Sequence, residues 1–372
     1  MYLPALPNIM TDLNVSHEEA QTTLTFWFLG SASMQLIMGP LSDRYGRRPI
    51  LLISGFIYIL TNVMCAITTD INILLAVRFI QGVTVSAVIV AGYASIHELY
   101  DQSHAIRILA VMGSITIIAP AFGPLIGGAI LNYVNWRWIF WIIAIMATIS
   151  IASLTKWMPE SLPPKDRHPI NLKFLGKNYF AILSNWRFTG VSLTFCFSFC
   201  GFIAWLTAGP FIIVDEFNLS VLMFGIYQAI IFSCYVFTNF LINKLIDKYP
   251  VNHFILVGLV ITLSGGVYAA ISAVLFPNYL LGLIIGMMIF SFGSGLTFAP
   301  LNRLTIESSP EPMGIRMAMM STYMTVFGVV GSILGSVFYN GTLASLGFVL
   351  ASVSSLAFII FINVFLFSKT GT

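Results

Sequence analysis

Eleven long apolar stretches, separated by short polar turns, restrict what this chain can fold into. Each has about 20 residues, the length that a helix needs to cross a bilayer core roughly 30 Å thick. Only 8% of the residues are charged, too few to cover a water-facing surface. The sequence therefore predicts an all-α membrane protein. The predicted spans are 20–40, 49–68, 72–97, 106–131, 137–157, 188–213, 221–246, 253–276, 279–302, 315–339 and 343–367.

The basic residues predict how these spans are oriented. Fifteen of the 17 lysines and arginines fall in one alternating set of loops, whereas the opposite set holds only Arg137 and one span holds Arg78. Basic loops stay on the cytoplasmic side of a membrane, so we expect the C-terminus to be cytoplasmic. A chain that starts and ends inside crosses an even number of times. We therefore expect twelve helices, with residues 1–10 forming the outer end of a truncated first helix.

The longest connection, 158–187, predicts a division into two halves. It contains four prolines and more of the inner charges than any other connection, and it separates a bundle of helices 1–6 in 1–157 from a bundle of helices 7–12 in 188–372. Two halves of six helices each are typical of transporters whose repeats move about a central site. A lipid-embedded enzyme or a receptor is the alternative, but neither has a comparable reason for this symmetry. We expect a transporter and no enzymatic activity.

The loop after the first complete span carries the most specific motif. Glycines permit close approach and a tight turn there, and a carboxylate could accept hydrogen bonds from a helix N-terminus. The run is Gly39-Pro40-Leu41-Ser42-Asp43-Arg44-Tyr45-Gly46-Arg47-Arg48. It resembles the G-x-L-a-D-r-x-G-r-r/k signature of the major facilitator superfamily, which implies a fold of two six-helix bundles.

This resemblance assigns expected partners to the loop. It implies that Asp43 packs against the start of the eleventh helix and that the arginines pair with acids at the inner end of the fourth, here Glu98 or Asp101. In the second half, residues 243–250 resemble a degenerate copy in which the glycines are lost and Asp247 remains.

Arg78 is the one basic residue within a predicted span. A charge there costs at least about 2.5–3.5 kcal/mol on insertion scales, so we expect it to face a cavity and to have a partner. Together with Gln81 and Gly82 it resembles the l-x-x-x-R-x-x-q-G signature of the fourth helix, which implies a role in proton coupling. The alternative is an arginine whose head group reaches the outer interface.

The acid that would pair with Arg78 is not evident within the spans, because all 14 acidic residues fall in loops or at helix ends. Residues 1–7, Met-Tyr-Leu-Pro-Ala-Leu-Pro, resemble the outer end of the first helix in the bicyclomycin-resistance (Bcr/CflA) class of drug:proton antiporters, where an aspartate directly precedes this run. The resemblance implies a proton-binding acid just upstream of Met1, and it implies a bacterial inner-membrane location.

A glycine-proline run indicates the direction of transport. Small residues allow close helix packing and a proline bends a helix. The run contains Gly123, Pro124, Gly127 and Gly128, and it resembles the antiporter motif g-x-x-x-G-P-x-x-G-G, with Ala119 in place of the first glycine. This resemblance implies an exporter. The alternative is a generic small-residue packing seam.

Polar and aromatic residues within the spans are candidates for a substrate cavity, although such residues are more often satisfied packing groups. The candidates are Tyr93, Met112, Trp205, Gln228, Asn302 and Tyr323. We expect no metal site, no nucleic-acid partner and no cofactor other than protons as the coupling ion. The chain has no phosphate-binding Gly-Lys-Ser/Thr run, which disfavours ATP-driven transport.

The sequence thus predicts a monomeric, proton-coupled exporter of drugs or other small organic molecules that works by alternating access. The alternative is a transporter of a specific metabolite or siderophore on the same fold.

Overall fold

A computed structural model describes residue 2 and residues 5–167, 171–219 and 221–370. The surroundings of some residues inside these ranges, among them Pro124 and Gly128, lie outside the description. The helices are α1 (Leu6–Leu13), α2 (His17–Tyr45), α3 (Arg47–Ile67), α4 (Ile71–Ala87), α5 (Tyr93–Leu99), α6 (Gln102–Leu131), α7 (Arg137–Trp157), α8 (Leu172–Ser184), α9 (Trp186–Phe211), α10 (Val221–Leu245), α11 (Val251–Leu275), α12 (Leu280–Glu307), α13 (Met313–Val337) and α14 (Leu343–Thr370).

Each of the eleven predicted spans coincides with helical structure, which confirms the predicted all-α class. Within the described part of the chain, ten helical segments are long and apolar enough to cross a membrane. The span predicted at 106–131 corresponds to α6, which is 30 residues long. Hydropathy located these helices because the lipid-facing surface selects apolar residues over the whole length of a span.

Three local features were not predicted. The span at 72–97 is interrupted by a π-helical turn at Val88–Gly92, between α4 and α5. The connection at 158–187 contains the 13-residue helix α8. A second π-helical turn, Ile212–Glu216, follows α9. Hydrophobic periodicity over a few residues does not distinguish a π turn from an α turn, so these irregularities escape a sequence-based reading.

The first compact unit comprises Met1–Leu99, Ala119–Tyr179 and Glu311–Thr322. At one end its core includes Ile9, Leu74 and Phe140, all buried. Polar side chains also interact at this end of the unit. Asp12 accepts a hydrogen bond of 3.1 Å from Nε1 of Trp136 and pairs with Arg137.

The second unit comprises Tyr100–Ile118, Phe180–Pro310 and Tyr323–Thr372. Its helices α11 and α12 approach so closely that a Cβ atom at Gly265 would lie 2.4 Å from the backbone nitrogen of Phe290. Small residues at such contacts are typical of membrane helices. Aromatic rings also contribute to the interior, where Phe202 meets Phe232, Tyr235 and Phe290 edge to face.

The two units differ from the predicted halves in two segments. Tyr100–Ile118, from the predicted N-terminal half, belongs to the second unit, and Glu311–Thr322, from the predicted C-terminal half, belongs to the first. The division of the sequence into 1–157 and 188–372 stays a prediction.

Candidate functional site

Arg78 lies in the middle of α4 and only 6% of it is exposed. Its guanidinium group stacks on the ring of Tyr2, with 4.5 Å from Cζ to the ring centroid, and it lies 5.9 Å from the ring centroid of Trp27. It also donates a hydrogen bond to Oε1 of Gln81. These contacts hold the arginine inside the first unit, so its head group does not reach an interface.

Glycines on α2 and α4 bring Trp27 to the arginine. A Cβ atom at Gly82 would lie 2.0 Å from the backbone oxygen of Trp27, and one at Gly30 would lie 2.1 Å from that of Phe79. The two backbones therefore touch, one turn beyond Arg78. Gly82, a member of the fourth-helix motif, is small enough to permit this contact.

The charge of Arg78 has no carboxylate partner among the described residues, since none of their ion pairs includes it. Within the same ranges its Nε atom is buried and lacks a hydrogen-bond partner. Ring faces and one amide oxygen stabilise a cation less than an ionised acid does. The site can therefore accept an anionic group.

A second cluster lies where α2 ends and α3 begins. Arg47, fully buried, donates to Asp43 at 2.6 Å, to Glu98 at 2.8 Å and to Oγ of Ser42 at 2.6 Å. The loop turns at Gly46, whose φ of +100° is a conformation that favours glycine. Of the two acids proposed as partners from the sequence, Glu98 contacts the arginine.

Asp43 also caps the start of α13. Its Oδ1 atom accepts a hydrogen bond of 2.9 Å from the backbone nitrogen of Gly314, the second residue of that helix. A Cβ atom at Gly39 would lie 2.3 Å from the backbone oxygen of Gly314 and 2.8 Å from Cβ of Ala318. We call these four residues the α2–α13 contact. A carboxylate at a helix N-terminus is stabilised by the unpaired N–H groups and by the helix dipole.

The connection after α7 adds two residues that the sequence analysis missed. Oε1 of Glu160 accepts from the backbone nitrogen of Arg47 at 2.9 Å, at the start of α3. The hydroxyl of Ser161 donates to Glu98 at 2.6 Å. Their only signal in the sequence is an acid and a serine directly after a span, which is too common a pattern to identify them.

The other charged residues of the motif take separate positions. Nη2 of Arg48 donates to the backbone oxygen of Thr155 at 2.7 Å, and Arg44 is exposed. Asp101 is exposed and hydrogen-bonds His104 at 2.5 Å, and this bond holds the pKa of the Asp101 carboxyl below its usual value. Asp101 therefore has a local partner on its own turn.

The glycine-proline motif lies in the second half of α6. The helix continues through Pro124, with Gly123 half-buried and Gly127 buried. The side chain of Pro124 and the surroundings of Gly128 lie outside the described residues. The assignment of this motif to antiport stays a prediction.

Among the six cavity candidates, Trp205 and Gln228 are in contact. Nε1 of the fully buried Trp205 donates to Oε1 of Gln228 at 2.8 Å, which is the arrangement expected of satisfied packing groups. The remaining four candidates lie on four different helices, namely Tyr93 on α5, Met112 on α6, Asn302 on α12 and Tyr323 on α13.

An apolar groove that the sequence analysis missed runs along one face of α10 in the second unit. It has a volume of about 520 Å³. None of the six cavity candidates lines it. Its lining residues are Ile226, Ala229, Ile230, Ser233, Cys234, Phe237 and Phe292.

The chain is similar to a known protein family and to several known proteins. The family model described as Major Facilitator Superfamily matches residues 1–231 and 190–371. Chloramphenicol resistance protein CraA of Acinetobacter baumannii is 32% identical over 333 residues, which cover 88% of this chain and 80% of the relative. Multidrug transporter MdfA of Edwardsiella piscicida is 30% identical over 88% of this chain and 81% of its own. Multidrug resistance protein MdtM of Salmonella typhimurium is 28% identical over 88% and 79%.

Solved structures share the fold at lower identity. The human organic anion transporter MFSD10 (TETRAN) superposes with a TM-score of 0.73 at 18% identity, covering 98% of this chain and 89% of that one. FucP in the outward conformation gives a TM-score of 0.73 at 15% identity, covering 98% and 93%.

Proposed function

Because this chain belongs to the Major Facilitator Superfamily, we propose that it is a proton-coupled secondary transporter that exports drugs or other small organic molecules by alternating access. Relatives at 28–32% identity carry the names of multidrug and chloramphenicol resistance proteins. The chain is a multi-pass membrane protein, and one of these relatives, MdfA, is named a multidrug transporter. Its finer placement in the Bcr/CflA class of antiporters is part of the proposal.

The proposed orientation places the Asp43 loop and the C-terminus in the cytoplasm. Fifteen of the 17 basic residues then face the cytoplasm, as the positive-inside rule requires. We place the protein in the inner membrane of a bacterium, because these three relatives are bacterial, and we expect a monomer.

The observation that carries the proposal is the burial of Arg78 with two aromatic faces and one amide oxygen as its partners. An ionised acid beside this cation is stabilised, and a protonated acid is not. Proton uptake would therefore release the arginine, and loss of the proton would restore the pair. Substrate binding could compete for the same cation, which would couple substrate movement to proton movement.

The decisive variant is Arg78→Ala, which removes the cation and leaves the rest of the site. Proton-driven uptake into inverted vesicles should fall to background across a panel of drugs and metabolites that includes chloramphenicol. The variant protein should still be folded and inserted in the membrane. Arg187→Ala is the matched control, because it removes an exposed arginine outside the site.

Two outcomes would contradict the proposal. Normal proton-driven uptake by the Arg78→Ala variant would exclude Arg78 from coupling. Uptake of a single metabolite, with no response to drugs, would support the alternative substrate class.

A further inference from the structure

The second unit has a small cleft that shares no residue with the sites described above. It lies where α9 and α11 begin and near the end of α14, and its volume is about 60 Å³. Pockets for drug-sized ligands have roughly 300–1,000 Å³, so this cleft has room for one compact chemical group. Its lining includes Arg187, Val191, Asn252, Phe361, Val364 and Phe365, all of the second unit.

The lining changes from polar to apolar along the helices. Arg187 and Asn252 are the second residues of α9 and α11, and both are exposed. One turn further along α9, Val191 is buried, and Phe361 is buried one turn before the exposed Phe365 on α14. Lipid head groups surround the ends of membrane spans, and acyl chains surround their middle. The cleft therefore has the polarity profile of a phospholipid.

Exposed aromatic side chains mark the membrane interface at this end of the unit. Trp186, next to Arg187, is 50% exposed, and Tyr249, two residues before α11 begins, is also 50% exposed. Trp and Tyr are enriched where a bilayer meets water. Arg187 therefore lies at the depth of lipid head groups.

Hydrogen bonds and close packing hold the walls of the cleft in place. Asn185 caps α9, since its Oδ1 atom accepts from the backbone nitrogen of Phe188 at 3.1 Å, and its Nδ2 atom donates to the backbone oxygen of Ser308 at 3.0 Å. A Cβ atom at Gly190 would lie 2.3 Å from Cγ2 of Val364, so α9 and α14 are in close contact. The fold of the second unit alone therefore forms the cleft and places Arg187 beside it.

The charge of Arg187 has no acidic partner within the described ranges. Each described acid at this end of the second unit is bound to another residue, namely Asp101 to His104, Asp247 to Arg107 and Glu307 to Arg303. The side chains of Arg187 and Asn252 also make no hydrogen bond to another described residue. A cation in the first turn of a helix is disfavoured by the helix dipole. An anionic ligand in the cleft would therefore meet a cation that no other described group neutralises.

We propose that this cleft binds an anionic phospholipid of the inner leaflet. The lipid phosphate pairs with Arg187 and accepts a hydrogen bond from the Asn252 amide. An acyl chain lies against Phe365, whose ring stacks on Phe361 with 6.2 Å between the centroids. Basic pockets between membrane helices on the cytoplasmic side are typical sites for anionic head groups. A free phosphate ester would satisfy Arg187 equally but would leave the apolar lining unused. The proposal goes beyond the transport function and rests on the orientation proposed above.

Loss of the arginine should weaken lipid binding most. Arg187→Ala should lower the affinity for phosphatidylglycerol about five- to tenfold, because a charge-assisted contact is lost. Arg187→Lys should keep most of the affinity because the charge stays, and Asn252→Ala should lower it about threefold. The matched control is Lys165→Ala, which removes an exposed cation outside the cleft.

Native mass spectrometry of the purified full chain measures these affinities by titration with phosphatidylglycerol, with phosphatidylcholine as the zwitterionic comparison. Lipids also bind elsewhere on a membrane protein, so the readout is the difference between wild type and variant. Wild-type protein should prefer phosphatidylglycerol, and Arg187→Ala should lose most of this preference. Glycerol phosphate, the head group without acyl chains, should not displace the lipid at equal concentration.

Equal affinity of wild type and Arg187→Ala for phosphatidylglycerol, or an equal loss in Lys165→Ala, would overturn the proposal. Full displacement by glycerol phosphate would also overturn it and assign the cleft to soluble phosphate esters. Uptake into inverted vesicles separates this proposal from the transport function, because Arg187→Ala should transport at the wild-type rate. A wild-type protein that binds the lipid as expected and transports nothing would contradict the proposed function alone.

Discussion

Two contacts on the predicted cytoplasmic side use an aspartate in different ways. In the α2–α13 contact, Asp43 is 3% exposed, accepts a backbone N–H group and faces a buried arginine. Between the start of α6 and the end of α10, Asp247 is 60% exposed and pairs with Arg107, which is 28% exposed. Breaking a buried charge pair costs about 3–5 kcal/mol, whereas an exposed pair contributes about 0–1 kcal/mol. Loss of the first contact is therefore expected to cost more free energy than loss of the second.

The largest expected effect is that of Asp43→Ala. The substitution leaves Arg47 buried with one acid fewer and leaves the start of α13 uncapped, at a cost of about 3–5 kcal/mol to the closed contact. Proton-driven uptake into inverted vesicles should fall more than tenfold, and the thermal unfolding midpoint of the purified protein should drop.

Asp43→Asn separates the two roles of this side chain. An asparagine oxygen can still accept from the backbone nitrogen of Gly314, but the charge is lost, so the result should fall between wild type and Asp43→Ala. Equal losses of uptake in the Asp43→Ala and Asp247→Asn variants would contradict the expected difference between the two contacts.

An intermediate effect is expected of Gly314→Ala. Its Cβ atom would lie 2.4 Å from the backbone oxygen of Gly39, so α2 and α13 must separate. We expect uptake to fall several-fold, because the hydrogen bond from Gly314 to Asp43 lengthens. The control is Gly225→Ala on α10, where nothing lies within 4 Å of the added atom. Similar transport rates in both variants would contradict the close approach.

The smallest effect is that of Asp12→Asn, which removes another exposed pair. The side chain of Asp12 is 45% exposed, and the hydrogen bond from Arg137 lowers the pKa of its carboxyl.

The pH dependence of this pair follows from the direction of the shift. A lowered pKa means that the pair stabilises the fold above the usual value near 4 and stops doing so as the pH falls through the lowered value. The unfolding midpoint of Asp12→Asn should lie about 1–2 °C below wild type at pH 7, with no difference at low pH. A difference that persists in acid would contradict this assignment.

The sequence predicted the spans and one of these two contacts. Apolar length located the helices, since lipid imposes the same requirement along each one. The Asp43 loop was identified because its glycines, acid and arginines occur together in a short run. The family resemblance of this motif implied that its arginines pair with Glu98 or Asp101, and Arg47 contacts Glu98.

The pairing of Arg107 with Asp247 could not be predicted, because the two residues are 140 positions apart and no local pattern links them. The role of Gly314 could not be predicted either, because a glycine at the start of a helix carries no signal for the carboxylate that caps it. Glu160 and Ser161 lie in the connection after α7, and they contact Arg47 and Glu98. These contacts depend on how that connection folds back against the helices, which no local sequence pattern shows.

The meeting of Gly39 with Gly314 has a consequence for the cost of a transport cycle. Backbone meets backbone at this point, so α2 and α13 can part and rejoin with no side-chain rotamer frozen or released by either glycine. Immobilising one long side chain costs up to about 2 kcal/mol in conformational entropy. The two glycines add no such cost to a separation of α2 from α13 in the alternating-access cycle proposed above.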